Sequence, residues 1–371
     1  MAASPILDWL AAMGPARASD LYLTFGAPPM ARGDKGMAPL RPEPLTDAEI
    51  DAILADLAAP EALAAFARDK EMNLALDLGA QGRFRVNAFR QRQHAGLVIR
   101  TIPATIPTLE DLRLPDLLGK LCLEKRGLVI MVGGTGSGKS TSLAAMLDYR
   151  NRNEAGHIIT IEDPIEFIHD HRKCIVTHRE VGIDTPSFES ALKNALRQKP
   201  DVIFIGEIRD AHTMEQAIVI AETGHLCLAT LHANNANQAV ERVLNFFPPE
   251  AHRQLLLNMS LNLRAVISQR LVPTLQGKRT VALEVLLNQG QIRDLIAKGE
   301  VKEIKPAMAA AADQGMQTFD QSLYRLVRAQ AISEEVALAE ADSPTDLRLM
   351  LQQTKVGAGG LASVDTSRLS L

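Results

Sequence analysis

Cysteine is scarce in this chain: three residues in 371, standing far apart at Cys122, Cys174 and Cys227. Three are too few for a four-cysteine zinc site, and their spacing is not that of a disulfide framework. A reducing, cytosolic compartment is the simplest setting. Aromatic residues are sparse at 4%. An excess of one charge is also missing, because 40 Lys plus Arg stand against 44 Asp plus Glu, for a net −4. Proteins that coat DNA are usually basic, so this balance argues against that role, while a local basic groove stays open. No apolar run reaches the roughly 18–20 residues of a membrane span. The N-terminus lacks the basic-then-apolar plan of a signal peptide, since Asp8 interrupts it. No internal repeat is visible.

What is present is a 46% apolar fraction over a length that suggests two domains, and three at most. Such a chain buries a core without staples. Residues 1–105 read as a small mixed domain, with helical apolar spacing over 47–67 and strand-like pieces at 21–25, 73–78, 83–89 and 96–102. The Pro- and Gly-rich stretch 27–44 reads as turns. Residues 106–125 form a linker marked by Pro103 and Pro107, with a helix expected over 109–123. Residues 126–290 alternate apolar strands (128–132, 158–161, 202–205, 226–231) with helical segments (139–151, 188–199, 213–223). That rhythm predicts α/β architecture with a parallel sheet covered on both faces. Residues 291–355 read as all-helical, and 356–371 as a disordered tail.

The strongest motif is Gly133-Gly134-Thr135-Gly136-Ser137-Gly138-Lys139-Ser140, followed by Thr141. It fits G-x-x-x-x-G-K-[ST] between an expected strand and an expected helix. Glycines let the backbone wrap a phosphate with its N–H groups inward. Lys139 reaches the β- and γ-phosphates, and Ser140 places a hydroxyl on Mg²⁺. The helix that follows turns its positive end to the anion. The motif therefore predicts ATP and Mg²⁺ as ligands.

Carboxylates complete the pattern. The apolar strand before Gly206-Glu207 would set Glu207 in the Mg²⁺ shell, partly through water. Glu162, Asp163 and Glu166 crowd the end of the second strand, a costly arrangement without a cation or a proton-transfer task. Glu162 is the first choice for the base that orients water, and Glu166 the reserve. His225 and His232 bracket one strand, and either is placed to touch a γ-phosphate. Arg83, Arg85, Arg90, Arg92 and Arg100 cluster, with Arg83 and Arg85 sharing one face of a strand. They read either as a solvated basic edge or as phosphate ligands, for which the guanidinium fork is suited.

These motifs together resemble the bacterial secretion ATPases of type II and type IV pilus systems, in the pilus retraction branch. The resemblance spans about residues 5–350 and rests on the phosphate loop, the acidic box 160–167, Gly206-Glu207, Glu222-Thr223-Gly224-His225 and Thr230-Leu231-His232. Arg83-Phe84-Arg85-Val86-Asn87 and Gly315-Met316-Gln317-Thr318-Phe319-Asp320 are similar to the same branch. The segments Ala18-Ser19-Asp20-Leu21, 232–238 and 341–349 resemble the accessory more than the principal retraction ATPase. The principal type's C-terminal motif is only partly present at 291–296, and Lys199 stands where an acid is common.

The resemblance implies a PAS-like N-terminal domain, a RecA-like P-loop ATPase core and a helical C-terminal part. It implies a homohexamer that docks on an inner-membrane pilus platform protein at the cytoplasmic face and works beside a principal retraction ATPase. It assigns Arg85 and Arg100 to the triphosphate, Glu162 to water activation and His232 to γ-phosphate sensing. The expected activity is ATP hydrolysis coupled to pilus retraction. Three alternatives stand beside it: a pilus extension or type II secretion ATPase, disfavoured by the missing zinc cysteines; an ATP-binding accessory subunit that acts by binding a partner motor; and a nucleic-acid motor, disfavoured by charge and aromatics.

Overall fold

The computed structural model describes residues 5–13, 18–33, 36–103 and 105–359. The chain divides into two compact units. The first is Met1–Thr105 together with Glu166–Ile168, and the second is Ile106–Ile165 with His169–Leu371.

The first unit runs α1 (Ile6–Met13), β1 (Asp20–Thr24), β2 (Met30–Gly33), β3 (Gly36–Pro39), α2 (Asp47–Leu57), α3 (Pro60–Asp69), β4 (Glu71–Asp77), β5 (Arg83–Gln91) and β6 (His94–Ile102). The strands form one antiparallel sheet in the order β3-β2-β1-β6-β5-β4. Its core gathers Ile6, Leu10, Leu21, Leu23, Ile50, Ile53, Phe84, Val86, Leu97 and Ile99. Two expectations are corrected here. The helical pattern over 47–67 is two helices, because Pro60 opens α3 and holds Ala59 extended (φ −64°, ψ 154°). The stretch 27–44 contains the β2–β3 hairpin, hidden in the sequence because β3 is exposed throughout and shows no alternation.

The second unit runs α4 (Asp116–Cys122), β7 (Gly127–Val132), α5 (Lys139–Asn153), β8 (Gly156–Glu162), β9 (Cys174–Glu180), α6 (Phe188–Ala195), β10 (Val202–Ile205), α7 (Ala211–Glu222), β11 (Leu226–Leu231), α8 (Ala236–Leu244), α9 (His252–Asn262), β12 (Leu263–Pro273), β13 (Arg279–Leu287), α10 (Gln291–Lys298), α11 (Val301–Ala310), α12 (Phe319–Arg328), α13 (Glu334–Glu340) and α14 (Pro344–Gly359). Seven strands pair in the order β13-β12-β7-β11-β10-β8-β9. Neighbours from β12 to β9 are parallel, and β13 pairs antiparallel to β12. The sheet is thus mixed rather than purely parallel. A two-strand hairpin needs no crossover, so β13 closes one edge cheaply. Central strands β7, β10 and β11 are buried at every residue, as strands covered on both faces must be. The helix expected over 109–123 is confined to α4, since Pro115 sets its start. Helix α14 extends to Gly359, and residues 360–371 of the expected tail lie outside the described residues.

All three cysteines are buried and unpaired. Burial pushes the Cys122 thiol up to about 12 and Cys227 higher still, so neither supplies a thiolate at neutral pH.

Candidate active site

Parallel pairing puts the carboxyl ends of β7, β8, β10 and β11 on one edge of the second unit's sheet. The register sets Leu231 opposite Val132, Ile205 opposite Ala229, and Ile205 opposite Ile161. Residues that follow those ends share the edge: Gly133 after β7, Glu162 closing β8, Glu207 after β10 and His232 after β11. His225 immediately precedes β11, so a six-residue strand of roughly 20 Å separates it from that edge. Its Nδ1 lies 3.1 Å from the Thr223 hydroxyl. Of the two histidines, His232 shares the edge with the loop after β7 and His225 does not.

The loop after β7 opens onto α5, whose cap Gly138 is left-handed (φ 86°), as is Gly136 (φ 77°). Both turns favour glycine. Lys139 is buried, and its ammonium donates to the Gly133 and Gly134 carbonyls at 2.7 and 2.9 Å. Burial pulls its pKa down, against a raising effect of Glu207. The buried Ser137 hydroxyl has no hydrogen-bond partner. An ammonium parked on loop carbonyls and an orphaned hydroxyl are both donors for a phosphate group, and the loop fits one. A cavity of about 280 Å³ lies between residues 134–137 and Gln269, Arg270, Leu271 and Arg279. Another, of about 290 Å³, lies between Gly133, Gly134, His232 and one side of α8 at Gln238, Glu241 and Arg242.

Sequence reasoning missed Gln269. Ser268 pairs with Val132 in register, which brings Gln269 on β12 level with the loop. Its amide donates to the Ser137 carbonyl at 2.8 Å and accepts from the Ser142 hydroxyl at 2.8 Å. A Cβ on Gly133 would meet the Gln269 carbonyl at 2.6 Å, and one on Gly138 the Gln269 amide at 2.8 Å. Gln269→Ala strands two buried groups and loosens the loop. Expected are a stability loss of about 1–3 kcal/mol in a thermal melt and a raised KM for ATP; wild-type values of both would deny Gln269 this role.

At the neighbouring strand ends, Gly206 lets Glu162 pass: a Cβ there would approach Glu162 Cα to 3.1 Å and Cγ to 3.4 Å. Glu162 is 6% exposed. Beside it, Glu207 takes His232 Nε2 at 3.0 Å on one oxygen and Arg209 Nε at 2.7 Å on the other. Arg209 also reaches Asp163 at 3.2 Å. Its hydrogen bond to Glu207 raises its own pKa. Asp163, Arg209, Glu207 and His232 thus form a polar row linked side chain to side chain across three strand ends. Arg209 was missed as well, although it stands two residues past Glu207. The Glu207 carboxylate and the exposed Ser140 hydroxyl are hard oxygen donors. They suit Mg²⁺, which takes few protein ligands and keeps phosphate oxygens and water for the rest of its shell.

Arg85 and Arg100 lie in the first unit, directly opposite each other on β5 and β6. Asp20 is the partner of Arg100 on β1, and Arg32 the partner of Asp20 on β2. Arg32 and Arg100 therefore flank the Asp20 carboxylate on one sheet face, and Arg85 stands next in the row beyond Arg100. Arg100 donates to Asp20 at 2.8 Å. Burial pushes the Asp20 pKa up, but hydrogen bonds from Arg100 and Ser19 outweigh it and hold the carboxyl below its usual range. Glu166 is counted with this first unit, while Glu162 stays at the sheet edge of the second.

With this geometry in hand, comparisons with known proteins are direct. A family model described as "Type II/IV secretion system protein" matches residues 63–354. The chain is 56% identical over 335 residues to the type IV pilus ATPase PilU of Pseudomonas aeruginosa, covering 90% of this chain and 88% of that one. It is 41% identical over 339 residues to the type IV pilus retractation ATPase PilT of the same organism, covering 91% of this chain and 98% of that one. A crystal structure of the pilus retraction motor PilT with bound ADP superposes with a TM-score of 0.86 at 38% identity, over 93% of this chain and 98% of that one. The chain belongs to the type II/IV secretion system protein family and, within it, to the branch of the pilus retraction ATPases.

Proposed function

We propose that this chain is the Mg²⁺-dependent ATPase of a homohexameric ring that powers or assists type IV pilus retraction, converting ATP and water to ADP and phosphate. The observation that carries this reading is the gathering of the phosphate loop, Glu162, Glu207 and His232 along one edge of a parallel sheet. In this reading the residues at 133–141 cradle the phosphates and Lys139 leaves the loop carbonyls for the β- and γ-phosphate oxygens. Ser140 and Glu207 are the protein's share of the Mg²⁺ shell, partly through water. The ion, when bound, neutralises charge on the phosphate oxygens. Glu162 orients water in line and takes its proton. His232 reports the γ-phosphate, and its bond to Glu207 links that report to the metal side. Arg85 and Arg100 are assigned to the triphosphate by family resemblance.

Partners follow from the same resemblance: a principal retraction ATPase and an inner-membrane pilus platform protein, which would hold the ring at the cytoplasmic face. Among the described residues no helix is long and apolar enough to cross a membrane. A second reading, an accessory ring that needs its partner motor, is favoured by the higher identity to PilU than to PilT. Steady-state ATPase assays with mass by light scattering test the reading. A hexamer with Mg²⁺-dependent turnover supports it, and an inert monomer overturns it. Hyperpiliated cells on gene deletion fix the direction as retraction; bald cells would make it an extension motor.

A further inference from the structure

Behind Glu162 stand two histidines that the mechanism above does not use, His169 buried and His178 half-buried. Parallel pairing sets His178 of β9 opposite Thr160 of β8, on the face that Glu162 also occupies two residues later. His178 Nδ1 lies 2.9 Å from the Thr160 hydroxyl and 4.0 Å from Glu162 Oε1. On its other side, His178 Nε2 accepts the backbone N–H of His169 at 3.1 Å. A ring nitrogen that accepts a hydrogen bond carries no proton, so the proton sits on Nδ1, toward Thr160 and Glu162. The His169 ring stacks on this ring, with centroids 5.7 Å apart and planes 10° from parallel. His169 is 5% exposed, and burial lowers its pKa to about 4.

A base that must accept a proton gains from a neutral neighbour. A cation at this distance would hold the carboxylate as an ion pair and lower its basicity. The amide of His169 already donates to Nε2, so the ring N–H that faces this side of the site is the one on Nδ1. We propose that His178 is a positioning residue for Glu162: its Nδ1–H, fixed in direction by the His169 amide, anchors Thr160 and orders the side of the site against which the Glu162 carboxylate turns. This inference rests on the reading of Glu162 as the base.

The test is a mutant cycle on the full chain, with kcat, KM for ATP and ATP affinity measured for each variant. His178→Ala is expected to lower kcat about 10- to 10²-fold with affinity for ATP unchanged, the scale of a misplaced catalytic group. His178→Gln is expected to recover most of that loss. Its carbonyl accepts the His169 N–H while its amide donates toward Thr160 and Glu162. In a Glu162→Gln background, His178→Ala should cost nothing further, since both act through one group. Wild-type kcat in His178→Ala overturns the proposal. So do equal losses for Ala and Gln, or the same fold-loss in both backgrounds. Normal turnover of Glu162→Gln alone overturns the base assignment and this inference with it, a failure distinguishable from one confined to the His178 variants. Should the alanine variant not fold, His178→Met fills similar volume without a donor and takes its place with the same outcomes.

Discussion

Glu162→Gln should bind ATP as the wild type does and hydrolyse it at least ~10²-fold more slowly, the usual contribution of a general base. Glutamine keeps the shape that Gly206 admits and removes only the proton-accepting charge. The effect is large because of placement. Glu162 closes β8 in line with the other strand ends and is almost fully shielded from solvent. Glu166 belongs to the first unit. Glu166→Gln is the control, with a smaller loss expected, because Glu166 stands four residues past the end of β8. Single-turnover kinetics beside equilibrium nucleotide binding separates chemistry from affinity. Equal rates for wild type and Glu162→Gln would pass the role of base to another group.

Lys139→Ala should abolish productive phosphate binding, with turnover down about 10²–10³-fold or more, the scale of losing one preorganised electrostatic contact. Here the ammonium is buried and poised on carbonyls of its own loop, within the field of Glu207. Turnover is read by phosphate release and affinity by a fluorescent nucleotide. Unchanged turnover would remove the loop from the mechanism. Lys139→Arg should also fail, because the planar fork is too wide for the space a single ammonium fills.

Legibility in the sequence followed local signal strength. Strand β10 is an unbroken apolar run and β11 is interrupted only by Thr230, and their bounds are readable to the residue. The phosphate loop is a contiguous motif, so its place was plain. Strand β12 was not, because Arg264, Ser268, Gln269 and Arg270 interrupt the apolar pattern in LRAVISQRLVP. Those polar residues are there to serve distant parts. Gln269 clamps a loop more than a hundred residues earlier, and Arg270 stacks over Phe319 at 4.0 Å and pairs with Asp342 at 2.6 Å. Such contacts depend on which strand lies next to β7, and no local spacing encodes that order. The His225 and His232 ambiguity had the same source. Only the parallel direction of β11 decides which of its ends faces the phosphate loop. The arginine cluster was visible, but the hairpin register that sets Arg85 opposite Arg100 was not.

The three sealed thiols have a practical consequence. A native chain whose cysteines lie in the core presents a surface that maleimide dyes leave untouched, so no native cysteine has to be replaced before labelling. One new cysteine in place of Ile175, 63% exposed on β9, and another in place of Met37, 47% exposed on β3, would carry a donor and an acceptor fluorophore, one on each unit. Energy transfer between them then turns any nucleotide-driven displacement of the two units into an optical signal, read in real time from otherwise unaltered protein.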